Sequence, residues 1–276
     1  MMKRIIDGKA VILEGNERIL VIADLHLGWH INLAQSTGAQ FPSQDEVMLS
    51  EIHALINQHD IGNLYFLGDI KHSLGPDVSF NWQRIPQFME SLAERTKVTI
   101  VPGNHDGDLE SLLPRDVSLC GIRGEKIEEG GFSVGLIHGH AWPSPEVLSA
   151  DWILVGHNHP TLSNFRAVSS RTLYRTIRRR GRSIPVILRS QLDRNCVEKK
   201  GDLSMDESRT KGFLVTLPSF NKLISGIPVD SPESTFRGPF FDNGCANLPK
   251  SEVYSAQGTY LGTVRFLRER LVEMVK

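Results

Sequence analysis

Five short polar segments hold the residues able to do chemistry: Asp24-Leu25-His26, Gly68-Asp69, Gly103-Asn104-His105-Asp106, His138-Gly139-His140 and Gly156-His157-Asn158-His159. They offer carboxylate, amide and imidazole groups and no thiolate. Oxygen donors suit hard divalent cations and imidazole suits transition metals, so the mixture points to Mn, Fe, Co or Zn rather than Ca. All ten histidines precede Pro160, which places metal or acid–base chemistry in the first part of the chain. Cys120, Cys196 and Cys245 lie far apart and form no Cys-x-x-Cys pair. Neither a disulfide framework nor a thiolate zinc site is expected from them, and a reducing cytoplasm is the expected compartment.

Each polar segment follows a short apolar run. Arg18 to Ala23, Asn63 to Leu67, Lys97 to Val101, Phe132 to Ile137 and Trp152 to Val155 read as buried strands that deliver Asp, His or Asn at their ends. Between the first two, Ser43-Gln44-Asp45-Glu46 has the form of a capping box, and Val47, Leu49, Ile52, Leu55 and Ile56 follow at approximate helical spacing. Trp82 to Arg95 predicts a second helix with Ile85, Phe88, Met89 and Leu92 on one face, and Asp108 to Leu113 a shorter third. Sites in open α/β sheets gather at the carboxyl ends of strands, so the five segments are expected to converge. Beyond Pro160, strands are predicted at Ser183 to Arg189, Gly212 to Leu217, Leu223 to Ile227, Glu252 to Ser255 and Thr259 to Leu261, with a helix from Val264 onward. Val197 to Lys211 has the polarity of an exposed loop.

With 276 residues, 40% apolar and 23% charged, the chain suffices for one ample domain, and residues 1–276 are expected to form it. Runs such as Ile19 to Ala23 fall far short of the roughly 20 residues that cross a bilayer. The N-terminus has no apolar stretch before Asp7, so export and membrane insertion are disfavoured. The net charge of −1 conceals an uneven distribution: Phe165 to Lys200 holds nine Arg and two Lys against Asp193 and Glu198. Such a stretch is either a solvated loop or a footprint for phosphate backbones.

The ordered series Asp-x-His, Gly-Asp, Gly-Asn-His-Asp, an isolated His-Gly and Gly-His-x-His resembles the ligand set of the calcineurin-like metallophosphoesterase superfamily. The resemblance implies an α/β fold, a four-layer α-β-β-α sandwich of two mixed sheets face to face with helices outside. It also implies two divalent ions, manganese first, with iron, cobalt or zinc as alternatives. Asp24, His26, Asp69 and His159 would hold one ion, and Asp69, Asn104, His138 and His157 the other, with Asp69 bridging. Such a pair, about 3.5–4 Å apart, clamps phosphoryl oxygens and shares a water of depressed pKa. His105 would face the phosphate, and Asp106 would orient its imidazole and keep it protonated. Gly68, Gly103, Gly139 and Gly156 adjoin ligands where the backbone must turn tightly. Among the other polar residues, His140 either approaches substrate or supports its loop. His30 and His72 read as exposed loop residues in preference to cleft lining, His53 and His59 as surface residues, and Trp29 and Trp142 as packing.

Ala-Asp-Leu-His-Leu-Gly at Ala23 to Gly28, Val-Pro-Gly-Asn-His-Asp at Val101 to Asp106, Gly-His-Asn-His-Pro at Gly156 to Pro160 and Leu-Pro-Ser-Phe-Asn-Lys-Leu at Leu217 to Leu223 are similar to one group. It comprises archaeal and bacterial phosphoesterases related to the SbcD nuclease, including those encoded beside DNA ligases and helicases. This implies a phosphodiesterase or nuclease acting on single-stranded or end-processed DNA in repair, with a ligase or helicase as partner. The alternatives are a phosphoesterase for small phosphoesters or cyclic nucleotides and a non-catalytic scaffold. Residues 165–211 depart from the group by being longer and more basic, and are expected to form a partly flexible arm. Beside a phosphodiesterase centre, Arg175, Arg178, Arg179, Arg180 and Arg182 are preferred as nucleic-acid contacts.

Overall fold

The computed structural model describes residues 4–6, 9–73, 79–129, 131–163, 183–204 and 210–275. The first sheet has six strands in chain order: β1 (Arg4–Ile6), β2 (Ala10–Glu14), β3 (Arg18–Ala23), β4 (Ile61–Leu67), β5 (Lys97–Val101) and β6 (Val117–Leu119). From β3 to β6 the pairing is parallel, and β1 and β2 add on antiparallel. The second sheet collects β7 (Glu125–Glu129), β8 (Phe132–Leu136), β9 (Trp152–Val155), β12 (Ile187–Asp193), β13 (Lys211–Thr216), β15 (Glu252–Tyr254) and β16 (Tyr260–Thr263). Its order is β16-β15-β12-β13-β9-β8-β7, with parallel and antiparallel neighbours mixed. A small third sheet joins β10 (Pro160–Leu162) to β11 (Ile184–Pro185) and β14 (Ile227–Pro228).

The period of two along each strand builds the layers. On β3, Leu20 and Ile22 pack with Ile52, Ile56, Ile85 and Met89 of the helices α2 (Gln44–His59) and α3 (Ser79–Ala93). Their neighbours Ile19, Val21 and Ala23 face the second sheet, against Val134, Leu136, Leu154, Ile187 and Val215. The outer face of that sheet, with Ile153, Leu192 and Leu214, is covered by Val197 of the helix Arg194–Gly201 and by Leu148 and Phe240. Helix, sheet, sheet, helix is the four-layer sandwich. Burying each large aliphatic side chain contributes about 1.5–3 kcal/mol, so the alternation is a strong constraint on register. Among the described residues no helix is long and apolar enough to cross a membrane.

Several local expectations are corrected. A helix at Trp29–Thr37, here α1, follows the first polar segment. Ser43 occupies the N-cap of α2, but its hydroxyl turns to Asp45 Oδ2 and makes no capping bond. Part of the predicted loop Val197 to Lys211 is the helix Arg194–Gly201, whose Val197 is fully buried. Leu223 to Ile227 yields only the two-residue β14. Within the predicted arm, β12 is an inner strand paired on both sides, because Ile187, Leu188 and Leu192 are core residues. Arg189 pairs with Glu252 at 2.7 and 2.5 Å, and Arg194 is buried and donates to the Ala150 carbonyl, so neither belongs to a phosphate footprint. Arg175, Arg178, Arg179, Arg180 and Arg182 lie outside the described residues. Cys196 and Cys245 form a disulfide, contrary to the expectation that the cysteines stay unpaired. The fold brings the helix Arg194–Gly201 against the segment after Phe240, a proximity that a spacing of 49 residues does not announce.

Candidate metal centre

Hydrogen bonding between β3 and β4 continues past the strand ends and lays the first two polar turns side by side. Asp24 N donates to Gly68 O (3.1 Å), His26 N to Asp69 O (2.8 Å) and Leu27 N to Ile70 O (2.7 Å). The turns are strained. Asp24, His26, Asp69, His157 and His159 have φ between 43° and 68°, five of the eight non-glycine residues with positive φ among those described. That region costs an L-residue about 1–3 kcal/mol and persists only where the surroundings enforce it.

Three sets of contacts enforce it here. The segment after β13 grips the first turn: Phe220 N donates to Ala23 O (2.9 Å), Ser219 Oγ to Asp24 O (2.7 Å) and Asn221 Nδ2 to Leu25 O (2.9 Å). Asn158, buried between His157 and His159, clips their turn to Arg237 through Nδ2 to Arg237 O (3.0 Å) and Arg237 N to Oδ1 (2.7 Å). The Asp106 carboxylate, also buried, accepts from Gly103 N (2.8 Å), Ile70 N (2.9 Å) and Lys71 N (3.3 Å), tying the second and third segments together. Glycine is required where these segments meet. A Cβ on Gly68 would lie 2.5 Å from Gly103 N and 2.6 Å from His138 Nδ1, and one on Gly103 would collide with the Asp69 carboxylate.

The side chains form two overlapping groups. Donor atoms of Asp24, His26, Asp69 and His159 all lie within 4.8 Å of one another. His26 Nε2 is 3.4 Å from His159 Nε2 and 3.5 Å from Asp69 Oδ2, while His159 Nε2 is 3.3 Å from Asp24 Oδ1. In the second group, His138 Nδ1 donates to Leu67 O (2.8 Å), which leaves the Nε2 lone pair facing Asn104 Oδ1 (3.2 Å) and Asp69 Oδ1 (3.5 Å). The His157 ring stands 5.1 Å from that of His138, and its backbone N–H donates to the Asp24 carboxylate. Asp69 thus turns one oxygen to each group. Asp24, Asp69 and His138 form a buried floor, whereas Asn104 is exposed and His105 half-buried, so the cluster is approachable from one side.

The electrostatics fit a cation. Burial alone would raise the Asp24 carboxyl, but His159, His138 and His26 outweigh it and bring it down to about 2. Burial pushes His26 down to about 3 despite Asp24, and burial with His138 beside it brings His157 to about 4. Burial and the charge of Asp24 hold the Asp69 carboxyl above its ordinary range, against the pull of His138. His26 and His157 therefore carry available lone pairs at neutral pH, and Asp69, raised by burial and by the charge of Asp24, is the carboxylate short of a positive partner. His26 Nδ1 is also buried, with no hydrogen-bond partner among the described residues. Oxygen and imidazole donors without thiolate suit a divalent transition metal.

His105 sits at the rim. Its backbone N–H donates to Asp69 Oδ1 (2.9 Å), and its ring stands 5.0 Å from that of His26, nearly perpendicular. Its Nδ1 donates to His72 O (2.8 Å), a carbonyl that can only accept. The expected contact from Asp106 to this imidazole is therefore corrected: both Asp106 oxygens are taken by backbone N–H groups. His72 is likewise no free loop residue. Half-buried, it stacks on His105 (5.8 Å) and meets the edge of Trp29 (4.4 Å). His30 is half-buried near Asp45 and Phe80. The His140 ring packs 5.2 Å from His138, and Trp142 packs against Phe240. Ser219, Asn221 and Asn158 carried no chemical motif of their own. Ser219 and Asn221 lay inside the quoted stretch Leu217 to Leu223, and Asn158 between the two histidines of Gly-His-x-His, without a role of their own.

No curated protein matches the chain. Among solved structures it is similar to the nuclease MPE of Pseudomonas putida, at 19% identity over 91% of this chain and 90% of that one, with a TM-score of 0.50. It is also similar to the phosphoesterase Yfce of E. coli (16% identity, 54% and 74% covered, TM-score 0.35). A third likeness is to an archaeal phosphodiesterase (12% identity, 88% and 96% covered, TM-score 0.36). At such identities the first likeness speaks for a shared fold. The sequence profile of the calcineurin-like phosphoesterases matches residues 17–189, which include every donor of the cluster. The chain therefore belongs to the calcineurin-like phosphoesterase family and is a metal-dependent phosphoesterase.

Proposed function

We propose that this phosphoesterase uses two divalent ions to hydrolyse phosphodiester bonds in nucleic acid, with DNA under repair as the setting. The observation that carries the two-ion reading is Asp69, whose Oδ2 faces His26 and whose Oδ1 faces His138. Asp24, His26, Asp69 and His159 would hold one ion and Asp69, Asn104, His138 and His157 the other. Manganese is the expected metal, and iron, cobalt or zinc suit the same donors. When bound, the pair supplies Lewis acidity toward phosphoryl oxygens and lowers the pKa of water. The chain's own contribution lies in rigid turns that keep the donors in place and in His105. With Nδ1 held on the His72 carbonyl, His105 has Nε2 available to substrate, where its protonated form donates to the leaving oxygen.

Nucleic acid as substrate is supported by the basic stretch that includes Arg175, Arg178, Arg179, Arg180 and Arg182, which would neutralise backbone phosphates. A DNA ligase or helicase is the partner proposed to deliver the substrate. The test is a divalent-metal panel with bis(p-nitrophenyl) phosphate and labelled single-stranded DNA. Turnover of both, lost in Asp69→Ala and His138→Ala, is the expected result. Cleavage of DNA should weaken when Arg178, Arg179 and Arg180 become Ala, and the parent should be the more salt-sensitive. Turnover of cyclic nucleotides or small esters without cleavage of DNA would replace the substrate, and no turnover with any metal would refute the reading.

A further inference from the structure

A cavity of about 200 Å³ opens between the loop after β4 and the start of α3, lined by Lys71, Asn81, Trp82, Gly107, Asp108 and Ser111. It adjoins the metal centre through the chain itself: Lys71 is two residues beyond Asp69, and Gly107 two beyond His105. The space equals about seven waters at about 30 Å³ each, room for one planar heterocycle.

Its lining is unusual for an idle crevice. Asn81 is 2% exposed, and its amide Nδ2 has no hydrogen-bond partner among the described residues. Buried donors in native proteins are seldom left unpaired, and such exceptions call for a missing acceptor. Lys71 is also 2% exposed; among the described residues its ammonium makes one hydrogen bond, to Ser73 O at 3.3 Å, and no ion pair. One wall is the indole of Trp82, 52% exposed. Two buried donors beside an aromatic face match a flat ring that carries carbonyl oxygens. Stacking on an aromatic side chain with hydrogen bonds to the base edge is the usual way to hold an unpaired base.

We propose that this cavity receives a nucleobase of the substrate next to the cleaved diester, its ring against Trp82 and its carbonyl oxygens on Asn81 Nδ2 and Lys71 Nζ. The assignment rests on the phosphodiesterase reading above and narrows it to strands whose bases are unpaired.

The test compares kcat/KM for thymidine 5′-(p-nitrophenyl phosphate) with that for bis(p-nitrophenyl) phosphate, which has no base. The parent should favour the thymidine ester by about tenfold, within what one base–aromatic stack contributes. Trp82→Ala, at an exposed position, should erase most of that ratio through KM, and Asn81→Leu should reduce it. A parent without preference, or a ratio unmoved in both variants, overturns the proposal. Binding is read separately by tryptophan fluorescence. Thymidine 5′-monophosphate should quench the parent and not Trp82→Phe, whereas equal quenching by inorganic phosphate would make the cavity an anion site and overturn the assignment. Nucleotide quenching in a parent that hydrolyses neither ester would leave the base site standing while refuting the phosphodiesterase reading.

Discussion

Asp106 provides the sharpest test of how the site is held. If its carboxylate is a backbone clamp, Asp106→Ala leaves the N–H groups of Gly103, Ile70 and Lys71 buried without an acceptor. Each orphaned donor costs about 1–3 kcal/mol, and the Lys71 contact, at 3.3 Å, counts for the least. The sum is about 3–6 kcal/mol, a large part of the roughly 5–15 kcal/mol that holds a domain together. At about 2–3 °C per kcal/mol for a chain of this size, Tm should fall by about 6–18 °C. Asp106→Asn should be milder. Burial already pushes the Asp106 carboxyl above its ordinary range, so a neutral amide loses one acceptor without losing a favourable charge. Thermal and urea melts of the metal-free protein measure the stability, and a pH–rate profile of the metal-loaded enzyme separates the roles. A variant that melts within about 1 °C of the parent but shifts the pH–rate profile would refute the clamp and restore the imidazole-orienting role.

Ser219→Ala and Asn221→Ala remove hydrogen bonds to the carbonyls of Asp24 and Leu25. Metal affinity by calorimetry should fall about 10–100-fold, the range for residues that orient ligands; unchanged affinity would show that the turn holds itself. The metal-free protein should lose stability between about pH 6.5 and pH 4. Unfolded histidine takes a proton near 6.5, whereas His26 does so only near 3 and His157 near 4, so the unfolded state binds more protons throughout that window. His159, raised by Asp24 in spite of burial, acts in the opposite sense: its stabilisation is full below about pH 6.5 and is lost as pH rises from there through its raised pKa. Urea midpoints in EDTA at pH 7 and pH 5 decide the balance, a higher midpoint at pH 5 being the contrary result. Cys196→Ser should cost about 2–4 kcal/mol by releasing the link to Cys245, visible as a lower Tm under non-reducing conditions. Identical melts with and without dithiothreitol would contradict it.

Much of the frame was legible from local pattern. The runs Arg18–Ala23, Ile61–Leu67 and Lys97–Val101 are strands because β-branched and apolar residues alternate between two buried faces, and the polar residue that breaks each run marks its end. The donors Asp24, Asp69, Asn104, His138 and His157 could be named because their types and their places after strands are properties of short windows. Residues of the second half were harder to read. Val197 read as exposed loop until the helix Arg194–Gly201 turned it onto the sheet, and Arg189 counted toward the basic stretch until Glu252 of another strand met it.

What the amino-acid order determined alone was the chemistry on offer and the strand ends that present it, since hydropathy period and residue type act over a few neighbours. Tertiary structure decided who holds whom. It placed Asp106 on backbone amides instead of on His105, brought Ser219 and Asn221 to a turn some two hundred residues earlier, and joined Cys196 to Cys245. Hydrogen bonds and disulfides between distant segments leave no period in a sequence. They depend on which surfaces meet when two sheets pack, and that is settled only by the whole chain folding at once.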